Sequence, residues 1–163
     1  MSPPAPRPGR PDPKWPGPEY HVSVVFRAPL EFAFRWCTDF RSDDARLEQQ
    51  GFERKILDRT PKRVVYEDLE WSNDGWHWAQ YVVRLYPPDR WHADSVGNYR
   101  DAKLEYTLRP LSSGRTRLDL KWRRRPGPKG RRVSKTEVER DTRRAWLSFR
   151  DALERDYRAQ QRR

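Results

Sequence analysis

Apolar and polar residues recur along this chain with two different periods, and the change of period lays out the elements. In Tyr20–Arg27, YHVSVVFR, Val22, Val24 and Phe26 fall on one side of a strand. Ala28-Pro29 ends it, and proline at a first helical position followed by LEFAFRWC predicts a short helix. A second short helix is predicted over Phe40–Glu48, with Asp39 or Ser42 available as its cap. After Gly51 the chain alternates again in six stretches: Phe52–Arg59, Arg63–Trp71, Trp76–Tyr86, Trp91–Val96, Ala102–Arg109 and Thr116–Arg123. Thr60-Pro61, Ser72-Asn73-Asp74-Gly75, Pro87-Pro88-Asp89, Gly97-Asn98 and Ser112-Ser113-Gly114 separate them, and links this short join antiparallel neighbours.

The period then changes to that of a helix. From Ser134 to about Ala159, Val138, Thr142, Ala145, Trp146, Phe149, Ala152, Leu153 and Tyr157 follow three-and-four spacing, so they share one face. Ser134 with Glu137 three residues on is a capping-box start. The last two strands have matching one-sided character: Leu104, Tyr106 and Leu108, then Leu118, Leu120 and Trp122, oppose charged or polar neighbours. A sheet with one covered face and a helix with one apolar face are natural partners.

Composition changes this picture in three respects. Hydrophobic residues make up only 34% of the 163, so the eight Trp, seven Tyr and six Phe must do much of the burying. Met1–Pro18 holds eight of the fifteen prolines, which predicts a disordered tail at 1–18 ahead of one domain at 19–160. A proline-rich ligand for an aromatic groove is the alternative use of that tail. The formal charge of +11 is concentrated in KWRRRPGPKGRR, where Lys121, Arg123, Arg124, Arg125, Lys129, Arg131 and Arg132 occur without an acid. That run is read either as a solvated loop or as a surface for nucleic acid or another partner. A single cysteine, Cys37, excludes an internal disulfide and a cysteine-built zinc site. With no apolar membrane span or signal peptide, the expectation is a soluble cytoplasmic protein.

The element order, with Val22-Ser23-Val24-Val25-Phe26-Arg27-Ala28-Pro29-Leu30-Glu31 followed by Phe34 and Thr38-Asp39, resembles the START-like superfamily. That superfamily includes the birch-pollen allergens, START domains and polyketide cyclases. The resemblance implies an α+β helix-grip fold: a seven-stranded antiparallel sheet curved around a long C-terminal helix, with two short helices after the first strand. It also implies a cavity for a hydrophobic small molecule, held as by a carrier or sensor.

Residue chemistry leaves several uses open. On the third strand Val65, Glu67, Leu69 and Trp71 form the more apolar set, and on the fourth His77, Ala79, Tyr81, Val83 and Leu85. Turned inward, Leu69, Trp71, His77, Tyr81, Tyr106, Trp122, Trp146 and Phe149 would line a ligand site, or would simply fill the interior. Glu67 in such a place would have a raised pKa and could exchange protons beside His77, as in a cyclase or dehydratase. Trp76 and Trp78, turned outward, would offer bases a stacking platform. The three histidines show no metal-ligand spacing, and no cofactor or metal is expected.

Overall fold

The structure, a computed structural model, describes residues 17–48, 52–72, 75–98, 101–125 and 133–162. The elements run β1 (Tyr20–Phe26), α1 (Leu30–Cys37), α2 (Ala45–Glu48), β2 (Phe52–Thr60), β3 (Arg63–Ser72), β4 (Gly75–Tyr86), β5 (Arg90–Gly97), β6 (Ala102–Leu111), β7 (Arg115–Arg124) and α3 (Lys135–Gln161). The strands form one antiparallel seven-stranded sheet in the order β1-β7-β6-β5-β4-β3-β2. Five tight connections make β2 to β7 a meander, and β1 closes against β7 in the register Tyr20↔Trp122 to Phe26↔Thr116. The proline-rich segment 1–16 and basic residues 126–132 lie outside the described residues.

The inward positions of β1 and β7 build the tightest part of the core. Phe26, Leu118, Leu120, Leu108 and Leu153 are almost fully buried, and each such side chain contributes about 1.5–3 kcal/mol of transfer free energy. α3 closes over them from a capping box: Ser134 Oγ accepts from the Glu137 amide at 3.2 Å, and Glu137 Oε2 accepts from the Ser134 amide at 3.0 Å. Trp36 Nε1 donates to Asp156 Oδ2 at 2.9 Å and ties α1 to α3. At the β4–β5 edge, Gly97 permits close approach of the backbones, since a Cβ there would stand 2.1 Å from the Trp78 carbonyl oxygen.

Two local expectations change. Pro29 occupies the cap position of α1, just before its first helical residue. The second short helix is only Ala45–Glu48, because Phe40 adopts φ 44° and residues 42–44 form a turn. That left-handed turn directs Phe40 inward, where its ring stacks on Tyr66 at 5.3 Å.

Candidate functional site

Between the inner face of the sheet and the middle of α3 lies a cavity of about 320 Å³. Its existence follows from how α3 is seated. Val138 and Leu153, towards the two ends of the helix, are buried, whereas Ala145, Trp146 and Phe149 between them are only partly covered. Large flat side chains from the sheet and from α3 surround a gap under the middle of the helix without filling it.

Half of the lining residues are aromatic. Trp91 of β5 and Tyr106 of β6 stack with ring centres 4.7 Å apart and planes at 8°, and Trp146 of α3 leans on Tyr106 at 5.9 Å. Phe149 bridges Trp146 at 5.3 Å and Trp36 at 6.3 Å. Trp122 lines the β7 side and is braced by Tyr20 at 5.1 Å. A second stack, Phe40 on Tyr66 on Tyr81, forms the opposite side, with 4.8 Å between the two tyrosines. Ring pairs of this kind contribute about 0.5–1.5 kcal/mol each beyond area burial, so the wall is stiff even without an occupant.

One end of the cavity is charged. Asp39, Asp44 and Arg54 reach it from the α1–α2 connection and β2. Arg54 is nearly covered: Nη1 donates to Asp44 at 2.7 Å, Nε and Nη2 donate to Asp68 at 2.8 and 2.9 Å, and the guanidinium lies 4.3 Å above the Tyr66 ring. Burial pulls the proton affinity of Arg54 down, but the Asp68 bond and the neighbouring negative charges outweigh it and fix the positive form. Burial pushes Asp39 up to about 6 against the pull of Arg41 and Arg59, with Asp44 adding to the rise. Asp44 is also raised, by burial, despite Arg54 and Arg41. Cys37 lines the same end, and burial followed by the Asp39 and Asp44 charges drives its thiol far up, so it stays protonated and unreactive.

No family model and no curated protein matches this chain. Solved structures do. The aromatase/cyclase Zhui from Streptomyces sp. R1128 superposes with TM-score 0.65 at 13% identity, over 86% of this chain and 93% of that one. A START superfamily protein from Mycobacterium smegmatis gives 0.61 at 15% identity, over 88% and 99%. A protein from Thermus thermophilus gives 0.65 at 14% identity, over 87% and 98%. The shared fold is the α+β helix grip. At these identities the likeness establishes the architecture, and the side chains of this particular helix grip must supply the rest.

Of the residues named as candidates from the sequence, Tyr106, Trp122, Trp146 and Phe149 line this cavity. Tyr81 stands one ring behind Tyr66, and His77 is on the inner face of β4 but outside the cavity wall. Glu67, Leu69 and Trp71 are on the other side of the sheet. β3 buries Val64 and Tyr66, pairing them with Val83 and Tyr81, so its odd positions face outward. Glu67 there accepts from Gln80 Nε2 at 3.4 Å and cannot reach a molecule under α3. The apolar count misleads because β3 places its aspartate and tyrosine inward around Arg54 and spends its tryptophan outside.

The helix grip also uses residues that periodicity does not single out: Trp36, Phe40, Asp39, Asp44, Arg54, Tyr66 and Trp91. In the sequence, Asp39 stands out only as a feature of the resemblance and as a possible helix cap. An arginine flanked in sequence by Glu53 and Lys55 carries no sign of burial, so Arg54 is not legible there.

The outer face has its own features. Trp71, Trp76 and Trp78 are exposed there, with Trp71 and Trp76 in edge contact at 4.9 Å. The described part of the basic run is mostly engaged locally: Arg123 with Glu19 at 3.5 Å, Arg124 over the Tyr20 ring at 5.0 Å and Arg125 with Asp101 at 3.1 Å. Lys121 lines a shallow polar hollow with His21, Arg109, Arg117 and Asp119, while Lys129, Arg131 and Arg132 lie outside the described residues. Ser23, His21 and Asp119 meet in that hollow without forming a nucleophilic relay. Ser23 Oγ donates to Asp119 at 2.5 Å, and His21 approaches both through the same Nε2, at 3.4 Å from Ser23 and 3.5 Å from Asp119. Among the described residues no group of side chains is arranged to hold a metal ion, and no helix is long and apolar enough to cross a membrane.

Proposed function

We propose that this chain binds a hydrophobic small molecule in the cavity between the sheet and α3, as a carrier or sensor. The observation that carries the reading is the partly covered middle of α3, Ala145, Trp146 and Phe149, above an aromatic-walled space of about 320 Å³. Burial of apolar ligand surface drives binding, and the charged end at Asp39, Asp44 and Arg54 orients the ligand. The helix-grip likeness to a START superfamily protein supports the same reading.

A second reading is enzymatic use of the same cavity, as the name aromatase/cyclase describes for the Streptomyces relative in fold. The observation favouring it is Asp39, a cavity-lining carboxyl held at about 6, where it can both give and take a proton near neutrality. Asp39 replaces Glu67 in that role, because Glu67 faces the wrong way.

The test begins with native mass spectrometry of the purified chain, followed by extraction of any adduct. A stoichiometric hydrophobic adduct is expected. Ala145→Phe, which fills the space from the helix side, should abolish the adduct and the fluorescence enhancement of N-phenyl-1-naphthylamine while leaving the far-ultraviolet circular dichroism intact. Equal dye binding by wild type and Ala145→Phe, or by neither, would sink the proposal. Incubating the extracted compound with fresh protein then separates carrier from enzyme, since only an enzyme changes its mass.

A further inference from the structure

The chain as a whole is strongly basic, yet the charged end of the cavity has the opposite sign. Four carboxylates gather there, Asp39, Asp43, Asp44 and Asp68, against three guanidiniums, Arg41, Arg54 and Arg59. The guanidiniums are already committed. Arg54 divides its donors between Asp44 and Asp68. Arg41 Nε is shared among Asp39, Asp43 and Asp44 at 3.4, 3.6 and 3.8 Å, all long for charged hydrogen bonds. Arg59 donates to the backbone carbonyls of Asp39 and Phe40, at 2.6 and 3.3 Å. Of the groups that line the cavity, Asp39 therefore carries the least compensated charge.

The neighbouring rings point the same way. Two aromatic walls at this end already carry a cation on a face: Arg54 over Tyr66 at 4.3 Å and Arg41 over Trp36 at 5.5 Å. Phe40, Trp91, Tyr106, Trp146 and Phe149 complete an aromatic lining around the same space, with Phe40 stacked on Tyr66 and Trp91 on Tyr106. A carboxylate or phosphate would meet committed arginines and an Asp39 whose charge the long contact with Arg41 offsets only in part. An ammonium would meet a carboxylate and aromatic faces, the two partners that compensate it best when water is excluded.

We propose that the cavity selects a hydrophobic cation, an aryl or alkyl amine whose ammonium sits against Asp39 while its apolar body lies among Trp91, Tyr106, Trp146 and Phe149. This inference rests on the reading of the cavity as a ligand site and narrows its ligand class. It runs against the net charge of the chain, which by itself would favour anions.

The experiment compares three probes of one shape, 1-naphthylmethylamine, 1-naphthalenemethanol and 1-naphthoate, titrated calorimetrically into wild-type protein at about pH 7.5 and roughly 0.15 M salt. The ammonium is expected to bind about tenfold tighter than the alcohol, with the carboxylate weakest, as one desolvated ion pair with cation–π support provides. In Asp39→Asn the ammonium-to-alcohol affinity ratio should fall close to one. Wild-type protein that binds the alcohol or the carboxylate at least as well as the ammonium overturns the cation inference and leaves the cavity reading intact. Failure of all three probes to bind, together with failure of N-phenyl-1-naphthylamine, overturns the cavity reading and the inference together. An unchanged ratio in Asp39→Asn, whose fold is checked by its melting curve, would show that Asp39 is not the selecting group.

Discussion

Two carboxyl groups on opposite sides of the sheet have their pKa values shifted in opposite directions. Asp39, at the cavity, is 38% exposed and has its pKa raised to about 6. Asp119, on the outer face, is only 12% exposed and has its pKa lowered. Burial pushes both upward, but Asp119 is covered by polar groups: the Ser23 hydroxyl at 2.5 Å, Arg117 at 3.0 Å and Arg109 at 3.9 Å, which together outweigh the burial. Asp39 is surrounded by rings and other aspartates, and its long pair with Arg41 does not offset them. Desolvation dominates at Asp39, whereas the hydroxyl and guanidinium partners dominate at Asp119.

The largest test of that contrast removes the cation from each side. Arg54→Met leaves Asp68 covered without its cation and Asp44 with only its long contact to Arg41, and should cost about 3 kcal/mol, the scale for breaking a buried pair. In a chain of this size that lowers the melting temperature by roughly 6–12 °C by calorimetry. Arg117→Met, at a 40% exposed guanidinium, should cost less than about 1 kcal/mol. Equal losses would erase the distinction between the two faces. Next in size, Ser23→Ala removes the short bond to Asp119 and should cost about 1 kcal/mol, read from urea unfolding.

The smallest effect carries the sign. Because the folded pKa of Asp39 lies above the ordinary carboxyl value, the folded chain holds that proton more tightly than the unfolded chain. Its contribution therefore favours folding at low pH and declines as pH rises through about 6. Asp39→Asn should melt slightly higher than wild type at about pH 7.5, with the gap closing as pH falls below about 6. Asp119 works in the other direction, its stabilisation being lost as pH falls below the usual carboxyl range. A gap for Asp39→Asn that widens on acidification would contradict the raised pKa.

Legibility in the sequence follows the same division between the faces. In β6 and β7 the inward residues are apolar along most of their length and their neighbours polar, and Leu108, Leu118, Leu120 and Trp122 are buried as their alternation requires. In β3 the alternation carries Tyr66 and Asp68 inward with Val64, and Leu69 and Trp71 outward, so a count of apolar residues chooses the wrong face. In its neighbour β4 the apolar set does face inward, and pairing the two strands across Tyr66↔Tyr81 corrects β3 at once.

The order of elements, their near-exact limits in the meander, the Ser134 cap and the inward stripe of α3 were determined by the sequence itself. These depend on neighbours within a few residues, where backbone geometry converts spacing directly into position. Only the tertiary structure decided that a cavity opens beside the middle of α3, that Phe40 turns inward, and that Arg54 is shared by two carboxylates 10 and 14 residues away. Those outcomes arise where segments distant along the chain meet, and the free energy of a buried charge or an open cavity belongs to the whole set of groups around it.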